Sequence, residues 1–354
     1  MSRFFSEKYS NLVPYTPGEQ PKERKYIKLN TNESPFPPSE IALKMAAEAS
    51  KRLMLYPDPD CKELTAALAD LLDVSTDEIV WTNGSDDVLN FAFMAFCDDE
   101  HPAIFPDITY GFYSVFAEAN RIPYRVIPLK EDFSISIEDF KRQKGTVFIA
   151  NPNAPTGIAL TLEQIEDLLL SDPNRVVVID EAYVDFGGES CVPLIKKYDN
   201  LLVTQTFSKS RSMAGARLGF AVGSKDLISD IHTLRYATNP YNINTMTMAA
   251  GIGVLRDEDY TRTNCAKIIE NRAYISSELK KLGFEMTDSK ANFIFVRHPA
   301  IHGEKLYLFL KENGILVRHF SKARISEYCR ITIGSREEMD ELLKKIQIIL
   351  EELV

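Results

Sequence analysis

The sequence has no apolar run long enough to cross a bilayer; "MTMAAGIGVL", at 246–255, stops well short of the roughly 20 residues a helical span requires. Its opening, "MSRFFSEKYSNLVPY", meets charges too early for an export signal. Cysteine is sparse: five residues (61, 97, 191, 265 and 329), odd in number, with neither zinc-site nor redox-motif spacing. That pattern argues against a disulfide framework and for free thiols in a reducing cytosol. Positive charge is in deficit, with 41 Lys and Arg against 51 Asp and Glu and a net charge of −10. The expectation is therefore no nucleic-acid partner and no membrane partner, while a local basic pocket for a small anion stays compatible with it. There is no internal repeat, no Gly-x-Ser-x-Gly elbow and no metal-ligand cluster. "GIGVL" lacks dinucleotide-fingerprint spacing, and His298 and His302 flank Pro299, which reads as a loop near a strand end. What remains is a cytoplasmic globular protein.

At 354 residues, 45% hydrophobic and 26% charged, the chain can bury a large core and spans more than one domain. Residues 1–40, rich in Pro, Asn, Lys and Glu, read as an extended arm joined to a smaller domain. A helical pattern runs from Ser39 to about Leu55, with Ile41, Met45, Ala49 and Leu53 on one stripe. "SDDVLNFAFMAFC" reads as a helix whose first turn carries Ser85, Asp86 and Asp87, good capping residues. Short apolar runs ("AIFP", "YRVIPL", "TVFIA", "VVVID", "LLVTQT", "GFAVG") then alternate with helical segments, the signature of an open, mainly parallel α/β sheet over 41–255. After Asp257 a long amphipathic helix and two strand-like pieces predict an α+β domain over 256–354.

In such sheets ligands sit beyond the carboxyl ends of the strands. Four polar signals lie there: Asn83-Gly84-Ser85 after "EIVWT", "NPNAPTG" after "TVFIA", Asp180 closing "VVVID", and Ser208-Lys209 after "LLVTQT". A lysine desolvated beside positive charge has a lowered pKa and becomes a nucleophilic amine. An aspartate beneath a pyridine ring keeps the ring nitrogen protonated, and so makes the ring an electron sink. A helix N-terminus with Ser85 and Arg217 makes a cradle for a phosphate dianion. Together these describe a pyridoxal 5′-phosphate site. Taken singly, Lys209 reads as a solvated strand-end lysine and Asp180 as a turn residue; it is their joint pattern that favours function.

"NPNAPTG", "DEAYVDF" and "TFSKSRSMAGARLGF" occur in the order seen in fold-type I pyridoxal-phosphate aminotransferases, which the chain resembles over nearly its whole length. "NLVPY", "LNTNESP", "YPDP", "PDITYGFYS", "NPYNIN", "GILVRHF" and "CRITIGSREE" make it most similar, within class II of that group, to the histidinol-phosphate aminotransferase family. The resemblance implies a large domain with a mainly parallel, mixed seven-stranded sheet between helices, plus a smaller α+β domain. It implies that Lys209 forms the Schiff base and moves the substrate proton, that Asp180 pairs with the pyridine nitrogen, and that Tyr183 meets the phenolic oxygen, with Tyr110 on the ring face. Gly84, Ser85 and Asp86 at the helix start, with Thr206 or Ser208 and Arg217, would hold the phosphate. Tyr56 would reach the cofactor of a second subunit, implying a homodimer with composite sites. Arg330, Arg318, Tyr15 and Asn32 would meet the substrate. The family turn carries an asparagine where this chain has Ala154; either Asn153, one residue earlier, substitutes, or that hydrogen bond is absent, and Asn153 is the assignment. The implied substrates are histidinol phosphate and glutamate or 2-oxoglutarate, in histidine biosynthesis. The rivals are an aromatic amino acid aminotransferase, a decarboxylase of a phosphorylated amino acid, and a catalytically silent ligand sensor.

Overall fold

The computed structural model describes residues 2–10, 12–21 and 23–351. Among them, the arm contributes one short strand, β1 (Ile27–Lys28). The main sheet is built from β2 (Ile79–Thr82), β3 (Ala103–Pro106), β4 (Tyr124–Ile127), β5 (Thr146–Ala150), β6 (Val177–Asp180), β7 (Leu201–Thr206) and β8 (Gly219–Gly223). Their order across the sheet is β2-β8-β7-β6-β5-β3-β4. β8 runs antiparallel to both its neighbours, and the remaining pairs are parallel. The sheet is therefore mixed but mainly parallel, as the alternating pattern predicts.

Among the described residues eight α-helices surround it: α1 (Glu40–Ala49), α2 (Lys62–Leu72), α3 (Ser85–Phe96), α4 (Phe112–Asn120), α5 (Ile137–Lys141), α6 (Leu162–Ser171), α7 (Lys225–Thr238) and α8 (Thr245–Leu255). Because side chains alternate along a strand, a continuous apolar run feeds both layers. Val178 and Leu202 point into a core shared with Val88, Phe93 and Ile231 from α3 and α7. Val177, Ile179 and Val203 point into the other, with Leu68, Leu168 and Ile252 from α2, α6 and α8. Each such buried aliphatic side chain contributes about 1.5–3 kcal/mol relative to exposure. The floor of the site is consequently rigid.

α1 departs from the sequence reading. Ser39 caps it by accepting from the Ala42 amide at 3.3 Å, but the helix ends at Ala49 and a 3-10 turn follows over Ser50–Arg52. Its buried residues are Ala42 and Ala49, while Ile41 and Leu53 of the expected stripe are exposed. The cause is a close helix crossing: a Cβ at Gly253 of α8 would sit 2.6 Å from the Ala42 Cα. Small residues alone fit there, so the large ones turn outward.

α9 (Glu258–Lys281) leads into a second body. It comprises β9 (Glu285–Met286), β10 (Phe293–Arg297), α10 (Gly303–Glu312), β11 (Ile315–Leu316), β12 (Arg318–His319), β13 (Cys329–Thr332) and α11 (Arg336–Glu351). Four of these strands form an antiparallel sheet in the order β12-β13-β10-β9. β1 pairs in parallel with β11, and Leu29 joins the core of this body beside Ile294, Leu310 and Ile331. The arm thus ends on the C-terminal layer and hangs Asn30–Asn32 over the edge of the main sheet.

Candidate active site

Parallel register places Ala150, Asp180 and Thr204 side by side on β5, β6 and β7. Thr82 and Thr206, both at strand ends, flank Gly219 at the start of antiparallel β8. That reversal brings Arg217, two residues before β8, to the same edge as the start of α3. One edge therefore collects Asp180, Lys209, Arg217 and a helix N-terminus.

Two connected chambers lie over this edge. The inner one is lined by Ser85, Asp86, Asp180, Thr206, Ser208 and Arg217. The outer one is lined by Tyr15, Asn32, Arg318 and Arg330. Tyr110, Ala154, Tyr183 and Lys209 border both. Asp180 is 5% exposed and accepts from the Tyr113 hydroxyl at 3.2 Å and the Ala182 amide at 3.3 Å. Burial, reinforced by the Asp86 carboxylate, pushes it up to about 7, so near neutrality it carries a proton it can share. Burial and the Arg330 charge pull Lys209 down to about 8. Its Nζ donates to the Thr31 carbonyl at 3.1 Å and lies 5.8 Å from the centre of the Tyr183 ring. A depressed lysine and an elevated aspartate in one cleft form the kind of pair that catalysis uses.

At the inner end, Gly84 caps α3 at φ +82° without a side chain, so first-turn amides face the chamber. Ser85 is the first helical residue, and of the three polar residues of the first turn it is Asp87 whose carboxylate accepts from the Asn83 amide, at 3.2 Å. A Cβ at Gly84 would collide with the Arg217 guanidinium, and one at Gly219 with the Gly84–Ser85 backbone. Two bare glycines thus let an arginine sit against a helix N-terminus. Arg217 donates to Asp86 Oδ2 at 2.9 Å and Ser208 Oγ at 3.4 Å, and Asp86 Oδ1 accepts from Tyr110 at 2.7 Å. Thr206 Oγ1 donates to Ser208 Oγ at 2.9 Å. This cradle suits a dianion.

In the outer chamber Arg318 and Arg330 are direct cross-strand partners on β12 and β13. Arg330 donates to the Asn30 carbonyl at 2.9 Å, while its buried Nε finds no hydrogen-bond partner. Burial lowers its pKa, with Arg318 adding to the effect. Like charges placed opposite one another destabilise a sheet, and an anion between them relieves that cost. Tyr15 stacks on Phe112, ring centres 4.2 Å apart, and supplies an aromatic wall.

The class I and II aminotransferase model matches residues 24–346. The chain belongs to this family. It is 48% identical over 353 residues to a histidinol-phosphate aminotransferase of Brachyspira hyodysenteriae, covering 99% of this chain and 100% of that one. It also superimposes on the histidinol-phosphate aminotransferase from Clostridium acetobutylicum with a TM-score of 0.85 at 26% identity, covering 92% and 99% of the two chains. The enzyme from Sinorhizobium meliloti, solved in complex with pyridoxal-5′-phosphate, gives a TM-score of 0.86 at 24% identity, covering 94% and 93%.

Apart from Gly84, which lies behind the Arg217 guanidinium, the chambers of this aminotransferase gather all but two of the sequence-predicted groups. Asn153 is the first exception, and the assignment is corrected. Its side chain is consumed by the turn, donating to Ile108 O at 2.9 Å and Thr156 Oγ1 at 3.1 Å and accepting from Thr109 Oγ1 at 2.8 Å. Ala154, the neighbour, is the residue that lines the chambers. Gly157 of the same turn, at φ +75°, lies where a Cβ would meet Ser289, so the motif also docks the two bodies. Tyr56 is the second exception within one chain. It is 83% exposed and stacks on Tyr241 at 4.6 Å, over a separate groove.

Tyr113, fully buried and bonded to Asp180, escaped the sequence reading. Its only signal was its place three residues after Tyr110 in "YGFY". Lys322, which lines the outer chamber with Asp107, and Arg324 escaped too; both reach Asp107, Arg324 at 3.3 Å. No spacing in the sequence joins residues more than 200 positions apart. Among the described residues no helix is long and apolar enough to cross a membrane, and all five cysteines are buried and unpaired.

Proposed function

We propose that this aminotransferase, with pyridoxal 5′-phosphate as cofactor, moves an amino group between L-histidinol phosphate and 2-oxoglutarate, giving imidazole acetol phosphate and glutamate, in histidine biosynthesis. The observation that carries the substrate assignment is the pair Arg318 and Arg330, set directly opposite each other in the chamber that Lys209 also lines. A guanidinium pair grips a phosphate dianion bidentately, and grips a dicarboxylate as readily. One site therefore serves both half-reactions in turn.

Bound pyridoxal phosphate supplies an electron sink that lowers the cost of removing the proton from the nitrogen-bearing carbon. The residues present fit that group. The amides of Ser85 and Asp86, with Ser208, Thr206 and Arg217, would hold its phosphate in the cradle that Gly84 and Gly219 leave bare. Asp180 would share a proton with its ring nitrogen, Tyr183 would donate to its phenolic oxygen, and Tyr110 would wall the ring. Lys209, neutral above about pH 8, carries the substrate proton on Nζ. Arg330 and Arg318 orient the substrate anion, while Tyr15 and Asn32 close the chamber and exclude water.

The arm (1–40), a cofactor-binding domain (41–255) and a small domain (256–354) are the divisions we adopt, in line with the pairing of β1 and β11. A homodimer with Tyr56 crossing to the other site fits the exposed run Leu53, Met54, Leu55 and Tyr56, which a second copy would cover. A cytoplasmic location fits the unpaired cysteines. The aromatic wall also favours aromatic amino acids as a second substrate class. Turnover of histidinol phosphate and of phenylalanine, each with 2-oxoglutarate, decides the ranking; no turnover of histidinol phosphate overturns the proposal.

A further inference from the structure

Tyr183 reaches the cofactor only if its hydroxyl proton points inward, and the surrounding hydrogen bonds decide that direction. The ring itself is fixed edge-on against Phe293, with centres 5.1 Å apart at 89°. Asn32, 1% exposed and held at φ +57°, donates from Nδ2 to the Tyr183 oxygen at 3.0 Å. Its other amide atom, Oδ1, faces the Thr332 hydroxyl at 3.0 Å. That hydroxyl accepts from the Asn32 backbone amide at 3.0 Å. Its one proton is therefore free to be given to Oδ1. Were the carboxamide turned over, Tyr183 would donate to Asn32 and face the cofactor proton-last. The Ala154 side chain, which also lines this chamber, carries no donor to substitute for it.

We propose that Thr332 and Asn32 are positioning residues: a relay that locks the Asn32 carboxamide and so commits the Tyr183 hydroxyl to donate into the cofactor chamber. This rests on the placement of Tyr183 at the phenolic oxygen in the proposed function. Thr332 lies two residues from Arg330 on β13, so both belong to one face of one strand. The substrate-gripping arginine and the hydroxyl that sets the cofactor's hydrogen bond are thereby built on a single rigid element.

The readout is the pH midpoint of the absorbance change of the bound cofactor, recorded without substrate. A donor on the phenolic oxygen weakens that oxygen's hold on the neighbouring nitrogen-bound proton, so losing the donor raises the midpoint. The charged groups facing Tyr183 are Arg330, Asp180, Asp86 and Lys209, and the Tyr183 and Thr332 variants neither alter these nor add a charge. Tyr183→Phe should raise the midpoint by about one pH unit, the equivalent of one hydrogen bond to a charged group. Thr332→Val, which conserves volume, should raise it in the same direction, and Thr332→Ser should restore the wild-type value. The double variant of Thr332→Val with Tyr183→Phe should match Tyr183→Phe alone. If Tyr183→Phe moves the midpoint while Thr332→Val does not, the relay is refuted and the site assignment stands. If Tyr183→Phe itself leaves the midpoint in place, the Tyr183 assignment falls and the relay with it.

Discussion

Asp180→Asn should make the cofactor-free protein more stable in mildly alkaline solution while disabling the enzyme. Asp180 ionises near 3.8 in an unfolded chain and near 7 in the folded one, because burial and Asp86 oppose its charge. Between those values the unfolded state releases a proton that the folded state keeps. Folding stability therefore falls as pH rises through this window, and the loss is complete above about pH 7. At about 1.4 kcal/mol per pH unit, the interval is worth about 4 kcal/mol, of which roughly 1.5 is already lost at pH 5. Asparagine keeps an acceptor for Tyr113 and never ionises, so it avoids this loss. Urea midpoints of cofactor-free wild type and variant, at fixed protein concentration, should differ by about 2–3 kcal/mol more at pH 8 than at pH 5. With cofactor restored, kcat should fall by about 10²-fold or more, because the carboxylate that holds the ring proton is gone. A stability difference that is the same at both pH values would show that the carboxyl is not desolvated as the structure has it. Unchanged kcat would remove Asp180 from the chemistry.

Lys209→Ala should fold yet show no transamination, and borohydride should no longer fix the cofactor to the chain. Because the folded lysine titrates near 8, recombination of wild-type apoprotein with pyridoxal phosphate should quicken about tenfold per pH unit below 8 and level off above it; a rise continuing to pH 10 counts against the assignment. Arg330→Ala should raise KM for histidinol phosphate by about 10–100-fold, the value of a charge-assisted hydrogen bond, and an unchanged KM sinks the arginine-pair argument. Mixing inactive Lys209→Ala chains with Tyr56→Ala chains should restore activity, because a hybrid dimer holds one intact composite site. Strictly additive activities would argue that Tyr56 stays within its own subunit.

The sheet strands were legible because long apolar runs such as "VVVID" and "LLVTQT" leave little choice but a strand buried on both faces. α1 was misjudged because the stripe Ile41, Met45, Ala49 and Leu53 is periodic, yet the neighbour that selects its face is Gly253, over 200 residues away. Asn153 was misassigned for a similar reason. Polar type and motif position cannot say which of two adjacent residues faces a chamber, whereas three hydrogen bonds inside the turn can.

The chain's linear order already specified the chemistry: a lysine, an aspartate and a phosphate-binding helix start, each at the end of a strand. Strand direction is a local consequence of alternating β and α segments, so those groups had to share one edge. Tertiary structure alone decided the rest. It reversed β8 to bring Arg217 onto that helix start, laid Asn32 over Tyr183, and set Arg318 against Arg330. Each of these depends on contacts between segments distant in sequence, whose geometry is settled by packing and not by residue type.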